Sequence, residues 1–307
     1  MEDKNLTDII KKALIDQGAD LVGIAPISRF VECPEETHPQ HYMQDATCVI
    51  SYAVKVLDEI CDTWGVYDEA HKSASPYLYY GFGLVNYKLS LIGYDISRKF
   101  LESKGYKALM FPPTFLVGHY RFVHKIVEED PQFWADFSHR HAAVAAGLGE
   151  FGYSGLVLVP KFGSRIRFNS IITNAPLIPS PMYDGPKLCQ TEKCNYKCVR
   201  ECPTEALALG EKFHVKIGEK EYEYCKAEKM RCYLGVHGLI RGTGGRTKRR
   251  LPSRSKRKIT IDDFFKRRQS QNAIDKSLTD ERPLIMGDFC GKCLHGCIAH
   301  KLYKTSK

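Results

Sequence analysis

The first part of the chain alternates between segments with helical apolar spacing and short apolar runs typical of strands. Between Leu6 and Leu14, apolar residues recur every three or four positions, which predicts a helix that ends at Gly18. The apolar run from Leu21 to Ala25 predicts a strand, and Ala46 to Val56 predicts a second, largely buried strand. The chain therefore begins as a mixed helix and strand domain.

The same patterns continue as far as Pro176. They predict a long helix from Tyr87 to Leu101 closed by Gly105, a helix from Phe137 to Ala146 that stops at Gly147, and strands from Gly155 to Val159 and from Arg165 to Thr173. The stretch from Ile178 to Pro186, rich in Pro and Gly, can continue neither a helix nor a strand. We therefore expect two domains, residues 1–180 and 181–307.

Composition indicates a folded protein, because 43% of the residues are hydrophobic and 11% are aromatic. The start of the chain is polar and acidic, whereas a signal peptide has a basic start and an apolar stretch. The sequence contains no uninterrupted apolar stretch near the ~20 residues of a membrane helix. From the sequence we expect a cytoplasmic protein that does not enter a membrane.

The net charge of +9 is concentrated in a basic insertion at about residues 240–270. Between Arg241 and Arg268 there are twelve Lys and Arg residues against two Asp residues. Such a segment suits an acidic electron donor such as a ferredoxin or flavodoxin, or it suits RNA. An exposed loop without a partner explains it as well.

Cysteine is the most informative residue type, since the chain has twelve cysteines and nine of them lie between Cys189 and Cys297. The cytosol keeps thiols reduced, so disulfides explain this number poorly and metal binding explains it better. The remaining three, Cys33, Cys48 and Cys61, have no ligand spacing, and we expect buried core thiols.

The run Cys189-x4-Cys194-x3-Cys198-x3-Cys202-Pro203 resembles the bacterial ferredoxin motif, although its first two gaps are longer. In ferredoxins the Cys before Pro ligates the other cluster, and a helix follows, here from Thr204. The resemblance implies two [4Fe–4S] clusters. One would be held by Cys189, Cys194, Cys198 and Cys297, and the other by Cys202, Cys232, Cys290 and Cys293.

Two alternatives stay open for these ligands. Four cysteines also suit tetrahedral zinc, but zinc ribbons favour paired C-x2-C knuckles, and the sequence has a single C-x2-C at Cys290. The second alternative is that Cys225, which is the spare cysteine in this assignment, replaces Cys232.

The segment from His139 to Leu177, HRHAAVAAGLGEFGYSGLVLVPKFGSRIRFNSIITNAPL, precedes the cysteine motif. It resembles the cobalamin-dependent reductases, a group that contains epoxyqueuosine reductase and the reductive dehalogenases. The order of the parts, a corrinoid domain and then the clusters, is also similar. The resemblance implies an α/β (α+β) fold: a nitroreductase-like corrinoid domain followed by a ferredoxin-like two-cluster domain.

The same resemblance implies which residues bind cobalamin. Backbone without side chains can approach a flat macrocycle closely. The expected cofactor-binding residues lie at the turns of the quoted segment: Gly147, Gly149, Gly152, Gly155, Gly163, Ser164 and Arg167.

It also implies catalytic candidates. Reductive dehalogenases pair a Tyr proton donor with a basic residue, and Tyr153 has Lys161, Arg165 and Arg167 nearby in the sequence. A Tyr is a suitable acid when a cation lowers its pKa. Where epoxyqueuosine reductase has an Asp donor, this chain aligns Phe133, and Asp136 and His139 lie one helical turn onward.

The sequence therefore predicts an oxidoreductase that uses two [4Fe–4S] clusters to reduce cobalamin to Co(I) for reduction of a small electrophile, of the organohalide or epoxide type. One alternative is an electron-transfer reductase that delivers electrons to a corrinoid or to a partner protein. Another is a tRNA- or RNA-binding protein in which the clusters are structural.

Overall fold

A computed structural model describes residues 2–63, 76–114, 136–236, 238–243, 251–252, 254 and 290–305. Its strands are β1 Leu21–Pro26, β2 Cys48–Lys55, β3 Ala108–Met110, β4 Glu150–Phe151, β5 Val157–Leu158, β6 Ile166–Thr173, β7 Lys212–Ile217 and β8 Lys220–Cys225. Its α-helices are α1 Lys4–Asp16, α2 Pro39–Tyr42, α3 Asp58–Thr63, α4 Val85–Ile96, α5 His139–Ala145, α6 Thr191–Cys194, α7 Lys197–Arg200, α8 Lys229–Val236, α9 Lys292–His295 and α10 Ala299–Thr305. Two π-helical segments, Tyr77–Leu84 and Ser97–Leu101, flank α4, and the 3₁₀ turns are Ile27–Phe30, Glu35–Thr37 and Glu102–Lys104.

The central sheet has the strand order β1-β2-β6-β3, and every neighbouring pair is antiparallel. In β2 the side chains at Ile50 and Tyr52 join the core formed with α1 and α4, while Val49 and Ala53 join the core formed with α5. Alternate residues of a strand point to opposite faces. The sheet therefore lies between helices, with α1 and α4 on one face and α5 on the other.

Local signals place the helices as the sequence predicts. Asp3 caps α1, because its carboxylate accepts a hydrogen bond from the N–H of Leu6 at 2.9 Å, and Gly18 follows the helix at φ 96°. Ser138 caps α5, and Gly147 follows that helix at φ 77°. The predicted strands in β1, β2 and β6 are also present.

Two differences from the sequence expectation concern the cysteine-rich part. The helix expected from Thr204 is absent: the backbone turns there, and Glu205 has φ 55°. The hairpin of β7 and β8, joined at Gly218, was not expected. The overall class is mixed α/β with an antiparallel main sheet.

Candidate functional site

Four cysteines that are far apart in sequence line one small cavity of about 40 Å³: Cys189, Cys194, Cys198 and Cys297. Cys194 lies on α6 and Cys198 on α7, and Cys297 lies just before α10. The Sγ atom of Cys189 accepts a hydrogen bond from the backbone N–H of Tyr153 at 3.2 Å. The structure therefore brings together the four cysteines of the first expected ligand set.

The pKa shifts of these thiols agree with the grouping of the four cysteines. The pKa of the Cys189 thiol is raised to about 11, first by burial and also by Cys297 and Cys194, while the hydrogen bond from Tyr153 acts to lower it. Burial raises the pKa of Cys198 to about 12, again with contributions from Cys189, Cys297 and Cys194. A thiolate here is costly without a nearby cation, and a bound iron centre would supply that positive charge.

A second group surrounds the buried thiol of Cys293. Its pKa is raised first by burial and then by the charges of Cys232, Cys290 and Cys202, and Cys198 of the first group adds to the effect. These neighbours are the other three cysteines of the second expected set. Cys198 and Cys293 also pack in one small apolar cluster, so the two groups adjoin each other.

The spacing within each group bears on the zinc alternative. Among the described residues, no three or more Cys, His, Asp or Glu side chains are arranged to hold a single metal ion. Tetrahedral zinc needs its ligands around one ion, whereas a four-iron cluster holds its thiolates farther apart. The choice between zinc and iron–sulfur clusters therefore stays a prediction.

The other cysteines lie elsewhere. The Sγ atom of Cys225 donates to the carbonyl of Ala208 at 3.2 Å, although its side chain also packs against Cys202. Cys48 and Cys61 are buried, as the sequence suggested. Cys33 is only half-buried, which corrects the expectation of a core thiol, and it lines a second, much larger cavity.

This larger cavity, of about 480 Å³, lies between the main α/β part and the β7–β8 hairpin. Aromatic and aliphatic side chains line it, among them Phe30, Phe137, Phe213 and Val215. Four cations also line it, Arg29, Arg140, Lys216 and Lys229, against one acid, Glu32. Its size and mixed lining are typical of a site for a small molecule, for which about 300–1,000 Å³ is usual.

A hydrogen-bonded chain of three side chains crosses the wall of this cavity. The Oη atom of Tyr224 lies 3.2 Å from Nε2 of His141, and Nδ1 of His141 lies 2.6 Å from Oγ of Ser138. Burial, together with Arg140 and Lys229, lowers the pKa of His141 to about 3, so this imidazole is neutral near pH 7. A neutral imidazole can accept at one nitrogen and donate at the other, and it can thus relay a proton to Tyr224.

Sequence reasoning missed Tyr224, because it did not predict the hairpin that carries this residue. The signal was available: polar and apolar residues alternate on both sides of the glycine turn in KFHVKIGEKEYEYC, residues 212–225. The sequence alone offers His141 only as a candidate ligand of cobalt or iron, together with His119, His124 and His139, and not as part of a proton relay. Gly155, with φ 74°, leaves room for Tyr224, since a Cβ there would lie 3.0 Å from its ring.

His139 and Asp136 are placed differently from His141. His139 contacts Ser170 through Nδ1 at 3.1 Å and the carbonyl of Pro112 through Nε2 at 2.9 Å. These contacts direct the ring of His139 toward β6, whereas His141 lines the cavity. The backbone carbonyl of Asp136 accepts a hydrogen bond from Tyr42 at 2.8 Å. Phe133, His119 and His124 lie outside the described residues.

The pairing of Tyr153 with a nearby arginine needs correction. The Tyr153 hydroxyl donates to the carbonyl of Ala208 at 3.0 Å, and the pKa of Tyr153 is raised, first by burial and then by Cys225. Arg165 is instead buried in an ion pair with Asp58 and Asp62. Arg167 donates to Asn86 at 2.9 Å and stacks over Phe82. The cation expected to lower the pKa of Tyr153 is therefore engaged elsewhere.

Several of the expected cofactor-binding glycines pack against the protein itself. A Cβ on Gly147 would lie 1.9 Å from the carbonyl oxygen of Pro181, and one on Gly149 would lie 2.0 Å from that of Leu158. At Gly152 the nearest atom is in the Leu158 side chain at 3.0 Å, and at Gly163 it is the backbone nitrogen of His300 at 2.7 Å. These glycines permit close backbone packing, which is the physical reason for their residue type.

Ser164 and Gly155, also expected at the cofactor, lie in different places. Ser164 is buried and donates to the carbonyl of Leu294 at 2.8 Å, next in the chain to Cys293 of α9. Gly155 lines the 480 Å³ cavity, so its role in ligand binding stays a prediction. Most of the basic insertion lies outside the described residues, and its partner likewise stays a prediction.

Comparison with known proteins identifies two groups of relatives, although no protein-family model matches the chain. A tetrachloroethene reductive dehalogenase of Sulfurospirillum multivorans is 40% identical over 70 residues, which are 22% of this chain and 13% of the dehalogenase. The epoxyqueuosine reductase of Bacillus anthracis is 36% identical over 75 residues, 24% of this chain and 18% of that reductase. Each alignment spans less than a fifth of the relative.

A solved structure with a TM-score of 0.50 is similar at the level of the fold. A catabolic reductive dehalogenase in complex with 3-bromo-4-hydroxybenzoic acid aligns with a TM-score of 0.50 and 19% identity, over 92% of this chain and 37% of that one. An epoxyqueuosine reductase with a tRNA stem loop aligns with a TM-score of 0.46 and 17% identity, over 77% of this chain and 59% of that one. Over these aligned segments the chain is similar to reductive dehalogenases and epoxyqueuosine reductases, whose names describe reductases.

One further finding concerns membranes. Within the described parts of the chain, no helix combines the length and the apolarity that crossing a bilayer requires.

Proposed function

We propose that this chain is a corrinoid-dependent iron–sulfur reductase in which a ferredoxin-like part with two [4Fe–4S] clusters serves a nitroreductase-like α/β part. The observation that carries the proposal is the convergence of eight cysteines into two adjoining groups of four. Cys189, Cys194, Cys198 and Cys297 would hold one cluster, and Cys202, Cys232, Cys290 and Cys293 the other. Clusters held in this way would carry single electrons.

The residues around the 480 Å³ cavity suit the site at which such a reductase would reduce its substrate. Cys225 lines this cavity and also packs against Cys202, so the second cysteine group lies close to the cavity wall. Aromatic and aliphatic side chains in the wall would favour a small apolar substrate, with the cations beside it. A complete cobalamin is larger than this cavity and would extend beyond its described walls. When bound, a corrinoid would supply a strong reductant for a small electrophile.

Within this proposal, Tyr224 holds the proton that a reduced substrate needs. Its hydroxyl lies at the cavity and is hydrogen-bonded to the neutral His141, which Ser138 orients from the other side. Burial raises the pKa of Tyr224 and Arg140 acts against it, so the hydroxyl keeps its proton and Arg140 is the cation beside it. The substrate class, an organohalide or an epoxide, follows from the relatives and belongs to the proposal.

The test is anaerobic reconstitution of the full chain with iron and sulfide, followed by hydroxocobalamin. We expect two four-iron clusters for each chain and a corrinoid retained through gel filtration with a base-off absorption spectrum. Retention of both clusters without any corrinoid would overturn the corrinoid part and favour an electron-transfer protein. Tyr224→Phe should keep clusters and corrinoid but lose most of the turnover, and unchanged turnover would reject Tyr224 as the donor.

A further inference from the structure

The helical segment from Tyr77 to Ile96 is apolar on two opposite sides. Toward the protein, α4 buries Val85, Leu89, Ile92 and Ile96 against the sheet. Toward solvent it presents a row of large side chains that we call the outer stripe: Tyr79, Tyr80, Leu84, Tyr87, Leu91 and Tyr94. A helix that is hydrophobic all round is normally buried on all sides. Among the residues that the structure describes, the outer stripe is therefore left exposed.

The concentration of exposed apolar residues here is unusual for this protein. Eleven large apolar side chains are exposed in the described residues, and six of them form the outer stripe, with exposures of 44% to 60%. Single exposed apolar residues are normal, but a contiguous patch marks an interaction site. Of the other five, Ile9 and Ile15 lie on α1, and Val31, Leu57 and Leu209 lie singly elsewhere.

The spacing within the stripe favours pairing with another helix. Along the end of the π-helical segment and α4, the exposed residues Leu84, Tyr87, Leu91 and Tyr94 are separated by three, four and three positions. Apolar residues that alternate between these two separations form the seam of a two-helix contact. In an antiparallel pair with a two-fold axis between Tyr87 and Leu91, each Leu faces a Tyr: Leu84 faces Tyr94, and Tyr87 faces Leu91.

We infer that the outer stripe is the contact between two copies of this chain, which form a two-fold dimer through antiparallel α4 helices. Half of the roughly 200 Å² that an aromatic side chain can bury, allowed for each of the four tyrosines and the two smaller leucines, gives an upper value of about 600 Å² for each copy. The pair would thus bury about 1,200 Å², the lower end of the ~1,200–2,000 Å² of specific interfaces. At that upper value the outer stripe reaches the size of an interface in a dimer that dissociates on dilution.

The dimer does not depend on the proposed chemistry. The outer stripe contains no cysteine, and the residues that line the 480 Å³ cavity come from other elements. A result on dimerisation therefore does not bear on the cluster and corrinoid proposal. A result on the clusters or the corrinoid likewise does not bear on the dimer.

Sedimentation velocity of the purified full chain over a roughly hundredfold concentration range tests the inference by mass action. We expect a shift from monomer to dimer with rising concentration. Leu91→Glu should weaken the dimer at least about tenfold, because the two-fold axis places each substitution in the interface twice. Leu57→Glu is the matched control, since Leu57 is 63% exposed but lies outside the stripe, and it should dimerise like the parent.

Two outcomes would overturn the inference. One is a parent chain that stays monomeric at every concentration, and the other is a dimer that Leu91→Glu leaves intact. Circular dichroism and iron content should match among the three proteins, which separates loss of the interface from loss of the fold. If Leu91→Glu fails to fold, Tyr87→Lys provides a second test at the same seam.

Discussion

At the scale of single residues, Arg165 has a structural role in place of the expected catalytic one. The Arg165 residue is 1% exposed, whereas the side chains of Asp58 and Asp62 are 37% and 46% exposed. Burial alone lowers the pKa of Arg165, but hydrogen bonds to Asp62 and Asp58 outweigh that effect, and its pKa is raised. Arg165 is therefore the partner whose burial requires the ion pair, because the two carboxylates can also be hydrated.

This difference in exposure predicts that the free energy of unfolding falls by different amounts when the two acids are replaced and when the arginine is replaced. Replacing both Asp58 and Asp62 by Asn leaves a buried cation without a counter-charge and should cost about 3–5 kcal/mol. Arg165→Met leaves two carboxylates that water can reach, so we expect a loss of about 1 kcal/mol. Urea unfolding of the three proteins measures both values, and a larger loss for Arg165→Met would contradict the assignment.

The buried histidines predict how stability depends on pH. Burial lowers the pKa of His139 to about 4 and that of His141 to about 3, from 6.5. Between these values and 6.5 the unfolded chain binds more protons, so stability is complete above pH 6.5 and falls as pH drops below it, by up to about 1.4 kcal/mol per unit for each histidine. His139→Gln should reduce the difference in urea unfolding between pH 7.5 and pH 5.5, and an unchanged difference would reject the role of burial.

The two candidates for the eighth ligand can be separated by a matched pair of variants. Cys293 interacts electrostatically with Cys232, while Cys225 donates to Ala208 and lies at the cavity. Cys232→Ser should therefore lose up to half of the reconstituted iron, while Cys225→Ser should keep all of it. Iron and sulfide analysis with electron paramagnetic resonance measures this, and the opposite result would assign Cys225 as the ligand.

At the scale of elements, the turn after α5 shows why particular glycines are required. Gly147 has φ 77°, and a Cβ there would collide with the carbonyl of Pro181. Gly105 has φ 83°, but nothing lies within 4 Å of the place that a Cβ would take, so it shares the conformation without the crowding. Gly147→Ala should cost about 3 kcal/mol or more and Gly105→Ala about 1–2 kcal/mol. Thermal unfolding of the two variants tests this difference. Equal losses of stability in the two variants would contradict it.

The elements that the sequence predicts are those set by local patterns. Asp3, Gly18, Ser138 and Gly147 lie at helix ends, and the buried run in β2 has the composition of a central strand, so local physics suffices there. The missing helix at Thr204 is the opposite case. It was transferred from ferredoxins, and here the chain turns instead and leads into the β7–β8 hairpin.

At the scale of the whole molecule, the candidate site depends on contacts between distant segments. Cysteine spacing could suggest the two ligand groups because clusters impose strong local sequence patterns. The relay from Tyr224 through His141 to Ser138 includes a contact between residues 83 positions apart, and no local pattern encodes such a contact. For the same reason, sequence proximity placed Arg165 beside Tyr153, although the structure directs Arg165 toward α3.

The two parts of the molecule also differ in what holds them together, and this predicts the effect of iron removal. The main sheet has two large apolar cores, whereas the cysteine-rich part has small clusters such as the one formed by Cys202, Ala206, Leu207 and Cys225. A small apolar core is insufficient for stability, so bound clusters would contribute much of the folding free energy there. Chelation of iron should therefore expose residues after Pro186 to limited proteolysis while the segment from α1 to β6 stays protected. Mass spectrometry of the fragments locates the first cuts. First cuts within the main sheet, or an identical pattern with and without iron, would show that the cysteine-rich part is stable without its clusters.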